Sequence, residues 1–540
     1  QLLVDIGDIT AEKLGDRRQA AKILVAALED RPDDRRLLTK LMQLYSEEKD
    51  WNRLVDIVMR LANFQDDSKQ KAKYLNTAAI VTARQLGDVD TALELYEQVI
   101  ELDPTITKSL NEAIELLRTK GDLNGVERLL RRKLETAIGD NDTSAQLEAW
   151  NNLGSLYEHE LGWVDHAIIA YEKVQELEPS RLEHTEKLAA LYATDPARWM
   201  HNALMSQLKL LEQNPFRVES YKAMRRLHTE GKNADGAWCL CQALTVLNLA
   251  EADEERFYRR MRAETAAPAR SVLQDEDWQA LIHADINPLL THLFAVIEPA
   301  IVAARAPELT SLGVDPNAVI DVGQTPLPMP QTLFYAGGVL GMELPASYVV
   351  PDDPGGLSFL VARPRGVGLG RVAMSSKVPP QAAAFIAARH LTYYRPGFYV
   401  RQILASGSGL RSWLFAAIKL ISPQFPIASD IEGSVMEAYH SLDANLKGTR
   451  RDELTQVVST LLREGAALDL KRWVAGVDQT ADRVGFFIAH DLDTAAQVIR
   501  ASDENATSVP NQDRLKSLAL FSVSPNYLGL RRRLGIAVDS

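Results

Sequence analysis

One spacing recurs three times in the first 180 residues: a glycine, an alanine five positions on, a bulky residue nine on and a proline seventeen on. The copies are Gly15, Ala20, Leu24, Pro32; Gly87, Ala92, Tyr96, Pro104; and Gly162, Ala167, Tyr171, Pro179. From Gly15 to Gly87 is 72 residues, and from Gly87 to Gly162 is 75. A motif that returns at such a period is one supersecondary unit that buries its apolar face by stacking on its neighbours. The fold expected is therefore an open stack of like units.

Weaker half-repeats lie between the copies. Asp16, Asp50, Asp88 and Asp122 follow one another at 34, 38 and 34 residues. Each precedes a stretch rich in Leu, Val and Ala: Arg17–Glu29, Trp51–Phe64, Val89–Leu102 and Leu123–Ala137. Partner stretches run over Asp34–Tyr45, Gln70–Leu86 and Ile106–Thr119. Apolar residues return at three- and four-residue steps, as in Leu37, Leu38, Leu41 and Leu44, which predicts amphipathic helices. Gly15, Gly87, Gly121 and Gly162 fit the left-handed turn inside a helical hairpin. Pro32, Pro104 and Pro179 fall where the second helix of a pair has to stop. Ala20, Ala92 and Ala167 allow close approach of two helices, and Leu24, Tyr96 and Tyr171 fill the space one turn on.

These residues resemble tetratricopeptide repeats over about residues 1–230. The early tryptophan of the family's first helix is missing and the spacings are uneven. The resemblance implies a helical solenoid whose concave face binds other proteins, and it names no partner. The pattern runs on to Arg262, with Pro215 lying 36 residues after Pro179. The array is expected over 1–262.

The chain has 540 residues, enough for two to four domains. Its net charge of −13 argues against a generic binder of nucleic acid or anionic membrane. Cys239 and Cys241 are its only cysteines, so there is no disulfide framework, and a reducing, cytoplasmic setting is the expectation. The longest apolar run, Leu410–Ile421, is interrupted by Arg411 and Lys419, and no membrane span is expected. No signal peptide is visible. Gln1 already lies in a helical pattern, so the chain is expected to be an N-terminally truncated fragment.

Beyond a linker at 263–275 the texture changes. Residues 276–540 read as a second, α-rich domain with a small β element. There Ser347–Val350 and Leu357–Val361 are predicted strands around the turn Pro351–Gly356. The overall fold class is thus mainly α, a tetratricopeptide-like solenoid followed by that domain.

Two segments of this domain, Gln381–Arg395 and Val477–Arg500, resemble the core of zinc endopeptidases of the CAAX prenyl protease and HtpX type. That family needs histidines at i and i+4 on one helix, a glutamate between them, and a further ligand four residues before an Ala-Asp pair. Arg389 stands at the first histidine position, His390 at the glutamate, and Tyr393 at the second histidine. Asp478 holds the further ligand position, before Ala481–Asp482. An arginine stays protonated and binds no zinc. The resemblance therefore implies a dismantled site with no metal and no cofactor, in which Arg389 pairs with Asp478. The plain alternative is a helix with a polar edge in an unrelated α-helical domain.

Other signals are weaker. The run Gly366–Gly370 lacks a phosphate-loop Lys-Ser/Thr and reads as a strand or turn. Arg531, Arg532 and Arg533 read as a solvated helix end. Glu432, Glu437 and His440 read as surface charge. The function expected is a non-catalytic interaction scaffold or adaptor, with the second domain as another docking surface. The alternatives are an atypical zinc peptidase and a structural or regulatory subunit of a larger bacterial assembly.

Overall fold

A computed structural model describes residues 2–262, 268–404, 406–465, 468–504 and 507–538. Helix takes up 70% of the chain and strand 3%, so the fold is mainly α with a small β element. The chain forms two compact units, Gln1–Thr194 and Asp195–Ser540.

The first unit is a run of helical hairpins: Leu2–Glu12 with Arg17–Asp30, Arg35–Glu48 with Trp51–Asn63, Ser68–Val81 with Val89–Leu102, Thr107–Lys120 with Leu123–Gly139, and Thr143–Ser155 with Val164–Leu177. Leu182–Tyr192 closes the series. Each helix packs on the next in order. The periodic aspartates explain where the second helices begin. Asp16, Asp50, Asp88 and Asp122 each accept a hydrogen bond from the backbone N–H three residues on. Each cap satisfies a donor that the first turn leaves open, at about 1 kcal/mol. Gly15, Gly87, Gly121 and Gly162 turn the hairpins with φ of 69°, 71°, 78° and 68°.

The repeat alanines Ala20, Ala92 and Ala167 are fully buried, as are Leu24, Tyr96 and Tyr171. Burial pushes the Tyr96 hydroxyl up to about 12, aided by Glu112. The same register explains two further glycines. A Cβ on Gly7 would stand 2.7 Å from the Leu24 side chain, and one on Gly154 2.7 Å from the Tyr171 ring. Pro32, Pro104 and Pro179 lie two residues after Asp30, Leu102 and Leu177, where their helices stop.

The second unit begins with four more helices, Pro196–Gln213, Val218–Glu230, Ala234–Val246 and Ala252–Met261. They continue the pairwise pattern, but their burial comes from the chain's far end. Ala234–Val246 packs on Leu492–Ala501 and Asn511–Ser522. Asp235 holds Arg531 at 2.7 Å, and Gln242 accepts from the Leu492 N–H at 3.0 Å. Arg262 pairs with Asp491 at 2.6 Å. The division between compact units therefore falls at Thr194/Asp195, ahead of the linker expected at 263–275. Of that linker, 263–267 lies outside the described residues. Leu273 is buried and bonds Val339, so its end is packed against the unit.

Four short strands follow: β1 Val319–Ile320, β2 Ala346–Val349, β3 Leu357–Leu360 and β4 Gly366–Leu369, in the order β1-β2-β4-β3. β4 is parallel to β2 and antiparallel to β3. The glycine run is this central strand. A Cβ on Gly368 would lie 2.3 Å from Ser358 Oγ, and one on Gly366 2.8 Å from the Tyr348 ring. The glycines therefore serve close packing.

Among the described residues one helix, Pro288–Arg305, is long and apolar enough to cross a membrane by length and composition. Leu290, Leu293, Phe294, Ile297 and Ile301 are buried in the unit's own core. Its buried Glu298 accepts from the Gly397 N–H at 2.9 Å and from Arg365 at 2.8 Å.

Candidate functional site

The helix Pro380–Thr392 with its C-cap Tyr393, and the helix Leu470–Ala489, carry the four positions singled out in the sequence. They lie against each other because Gly485 has no side chain: a Cβ there would meet the Phe385 carbonyl at 2.7 Å. Ala384, Ala388 and Ala481, also buried, add little bulk. This close approach brings one turn of each helix face to face, Arg389 and Tyr393 opposite Asp478 and Asp482.

The expected pair of Arg389 with Asp478 is corrected by the geometry. Arg389 Nε donates to Asp482 Oδ1 at 2.8 Å. Its Nη2 donates to the Tyr393 hydroxyl at 3.2 Å, and that hydroxyl donates to Asp478 Oδ1 at 2.8 Å. The reason is helical spacing. Asp482 lies one turn beyond Asp478, level with Arg389, while Tyr393 lies level with Asp478.

Three residues outside the motif complete the cluster. Arg514 binds Asp482 in a fork, Nε to Oδ2 at 2.7 Å and Nη2 to Oδ1 at 2.8 Å. Asp478 Oδ2 accepts from the Ser508 N–H at 2.8 Å and its hydroxyl at 2.9 Å. Arg401 Nη2 stands 3.5 Å from the same oxygen. Nothing in the sequence spacing flags Arg401, Ser508 or Arg514, because they come from other elements.

The electrostatics follow from this packing. Burial opposes the Arg389 charge, but Tyr393, Asp482 and Asp478 outweigh it and hold the guanidinium firmly protonated. Burial raises the Tyr393 hydroxyl, and Asp478 and Asp482 raise it further against the pull of Arg389. His390 points elsewhere. Its ring stacks on Phe359 with centroids 3.9 Å apart, and burial beside Arg389 pushes its pKa down to about 3.

The donor set does not fit a zinc ion. Arg389 and Tyr393 offer a guanidinium and a phenol rather than imidazoles, and both oxygens of Asp478 and of Asp482 are engaged. Among the described residues no three His, Cys, Asp or Glu side chains come together as metal ligands. What the cluster does physically is clamp two central helices and the segment 508–514 through charge-assisted hydrogen bonds.

Other candidates fall elsewhere. Arg531, expected at a solvated helix end, is 2% exposed and forks onto Asp235, because its helix Pro525–Arg533 packs into the core. Glu437 lies at the surface, 3.2 Å from Arg305. Cys239 and Cys241 are buried and form no disulfide, on a helix enclosed on nearly every side. In the first unit a cleft of about 450 Å³ is lined by Arg18, Lys22, Tyr45, Lys49, Trp51 and Arg53, with Glu48 and Asp50.

Comparison with known proteins bears on two hairpins of the first unit. A tetratricopeptide repeat model matches residues 72–106 and 147–181. These are the third and fifth hairpins, the two whose first helix ends in a wide π turn, Thr82–Leu86 and Leu156–Leu161. The chain thus carries tetratricopeptide repeats. A segment of 85 residues is 31% identical to the ER membrane protein complex subunit 2-A of Xenopus laevis, spanning 16% of this chain and 27% of that protein. Among solved structures, the C-terminal part of a repeat-containing protein from Cytophaga hutchinsonii is 15% identical with a TM-score of 0.24, covering 47% of this chain and 98% of that one. A structure of Naa15/Naa10 bound to HypK-THB is 12% identical with a TM-score of 0.29, covering 92% of this chain and 62% of that one.

Proposed function

We propose that this chain is a non-catalytic scaffold that binds other proteins through its hairpin array. The observation that carries this reading is the regular stack over residues 2–192, whose hairpins bury each other and leave a row of helix surfaces for a partner. On this reading the groove lining, and the cleft around Trp51, take an extended or helical segment. The cleft holds four cationic side chains, Arg18, Lys22, Lys49 and Arg53, against Glu48 and Asp50. Arg18 pairs with Glu48 and Arg53 with Asp50, so Lys22 and Lys49 favour an acidic segment.

The second unit is proposed as a further docking surface without peptidase activity. The clamp of Arg389, Tyr393, Asp478 and Asp482 supports this, since it occupies the position where the resemblance would place a metal. Membership of a larger assembly is favoured by the 85-residue likeness to a protein named as a complex subunit.

Affinity capture with the whole chain, followed by cross-linking and mass spectrometry, tests the scaffold reading. Cross-links to partners should concentrate on residues 2–192, and Lys22→Glu with Lys49→Glu should reduce capture. Partner cross-links confined to residues 195–538 would sink the proposal.

A further inference from the structure

The arginine run at 531–533 divides its work. Arg531 forks onto Asp235, and Arg533 pairs with Asp277. Arg532 makes no side-chain hydrogen bond or ion pair among the described residues, and it lines a pocket of about 200 Å³ inside the second unit. Helices Pro196–Gln213 and Val218–Glu230 form one wall of this pocket, and Val523 with helix Pro525–Arg533 forms the other. Leu204, Leu208, Met224, Val523 and Leu528 make the lining apolar.

The polar side of the pocket offers donors. Asn233 Oδ1 accepts from the Gly236 N–H at 2.9 Å, which fixes the orientation of the amide. Asn233 Nδ2 therefore donates to His228 Nδ1, 3.0 Å away, and the imidazole proton is held on Nε2. The His228 ring is 6% exposed. Its Nδ1 edge packs on Gly236, where a Cβ would stand 2.6 Å away, which leaves the Nε2 edge to the pocket. Nε2 has no partner among the described residues. Burial, with the Arg532 charge nearby and against the pull of Asp235, pushes His228 down to about 4, so near pH 7 the ring is a neutral donor. No Asp or Glu side chain is among the lining residues.

We propose that this pocket binds a small free monocarboxylate with an aliphatic or aromatic tail, its carboxylate on Arg532 and His228 Nε2–H and its tail on the apolar wall. An unpaired guanidinium beside a buried N–H without an acceptor calls for an anion, through charge-assisted hydrogen bonds. The volume lies below the roughly 300–1,000 Å³ of pockets for drug-sized ligands, which limits the tail to one compact group. A free acid fits better than the end of a peptide. A peptide N–H needs an acceptor, and Asn233 Oδ1 and His228 Nδ1 are already used. The inference goes beyond the scaffold reading, since the pocket lies outside the hairpin array of residues 2–192.

Isothermal titration calorimetry of the whole chain near pH 7 tests it, with hexanoate as the free acid, hexanamide as its neutral counterpart and N-acetyl-leucine as a peptide end. The expected result is one hexanoate site per chain, with hexanamide weaker by about ten-fold or more. Arg532→Gln should weaken hexanoate by about ten-fold or more and leave the fold intact, because that exposed side chain has no partner to lose. Gly529→Leu takes up pocket volume at a position where a Cβ meets no atom within 4 Å, and it should abolish binding. Arg226→Gln, at an exposed arginine outside the pocket, should leave binding unchanged. The absence of a saturable hexanoate signal overturns the proposal, as does equal binding of hexanoate and hexanamide. Hexanoate binding that survives both Arg532→Gln and Gly529→Leu overturns it by placing the site elsewhere. Binding of N-acetyl-leucine in place of hexanoate also overturns it, and gives the pocket to the last residue of a peptide.

Discussion

The two units differ in how deeply their strongest ion pairs are buried. In the repeat array, the ion pairs Arg17–Glu47, Lys40–Asp8 and Lys120–Asp90 join side chains that are each more than a third exposed. In the second unit, Arg514–Asp482 and Arg531–Asp235 join side chains that are at most 3% exposed. An exposed pair is screened and nearly neutral in free energy, whereas a buried one is costly to break because the survivor keeps an unpaired charge. The array draws its order from local apolar periodicity and caps. The second unit adds to its apolar cores polar contacts between residues far apart in sequence.

The largest expected effect follows from the clamp. Asp482→Ala leaves Arg389 and Arg514 without their carboxylate and should cost the second unit about 3–5 kcal/mol. Urea unfolding followed by fluorescence of the buried Trp413 and Trp473 measures this. A loss below about 1 kcal/mol would break the comparison.

Acid should weigh more on the second unit, where three histidines are pushed down by burial, against His184 in the array. In the second unit burial pushes His228 and His283 down to about 4 and His390 to about 3. An unfolded histidine titrates near 6.5. Between those values the unfolded chain binds more protons, so stability is full above about pH 6.5 and is lost as the pH falls towards 4. Each histidine adds a slope of up to about 1.4 kcal/mol per pH unit. Melting temperatures between pH 7 and 4.5 should fall, and His390→Phe, which keeps the stack on Phe359, should flatten the slope.

A smaller, local effect belongs to the array. Ala167→Phe overfills the contact between paired helices and should cost about 1–3 kcal/mol. Circular dichroism melting should register it while the Trp413 and Trp473 signal stays in place. The smallest effect is at the surface. Glu47→Ala removes the partner of Arg17 and should change stability by less than about 1 kcal/mol.

The same contrast explains what the sequence discloses. Gly15, Gly87 and Gly162, the capping aspartates and the buried alanines act within one hairpin, so a fixed spacing reveals them. The turn around Pro351–Gly356 and its two strands were legible for the same local reason. The unit boundary was not, because Ala234–Val246 looks like one more repeat helix until Arg531 and Leu492 arrive from some 250 to 300 residues away. The clamp was half legible. Motif spacing brought Arg389, Tyr393 and Asp478 together, but the choice of Asp482 over Asp478 depends on helix phase. Arg401, Ser508 and Arg514 come from segments with no periodic relation to either helix.

Hydrogen exchange followed by mass spectrometry, comparing the native chain with Asp482→Asn, probes most directly whether the second unit depends on its buried charge cluster while the array stands on local packing. The expected result is faster exchange across 380–392, 470–489 and 508–522, with residues 2–192 unchanged. Unaltered protection in those three segments, or equal loss across the hairpins, would contradict it.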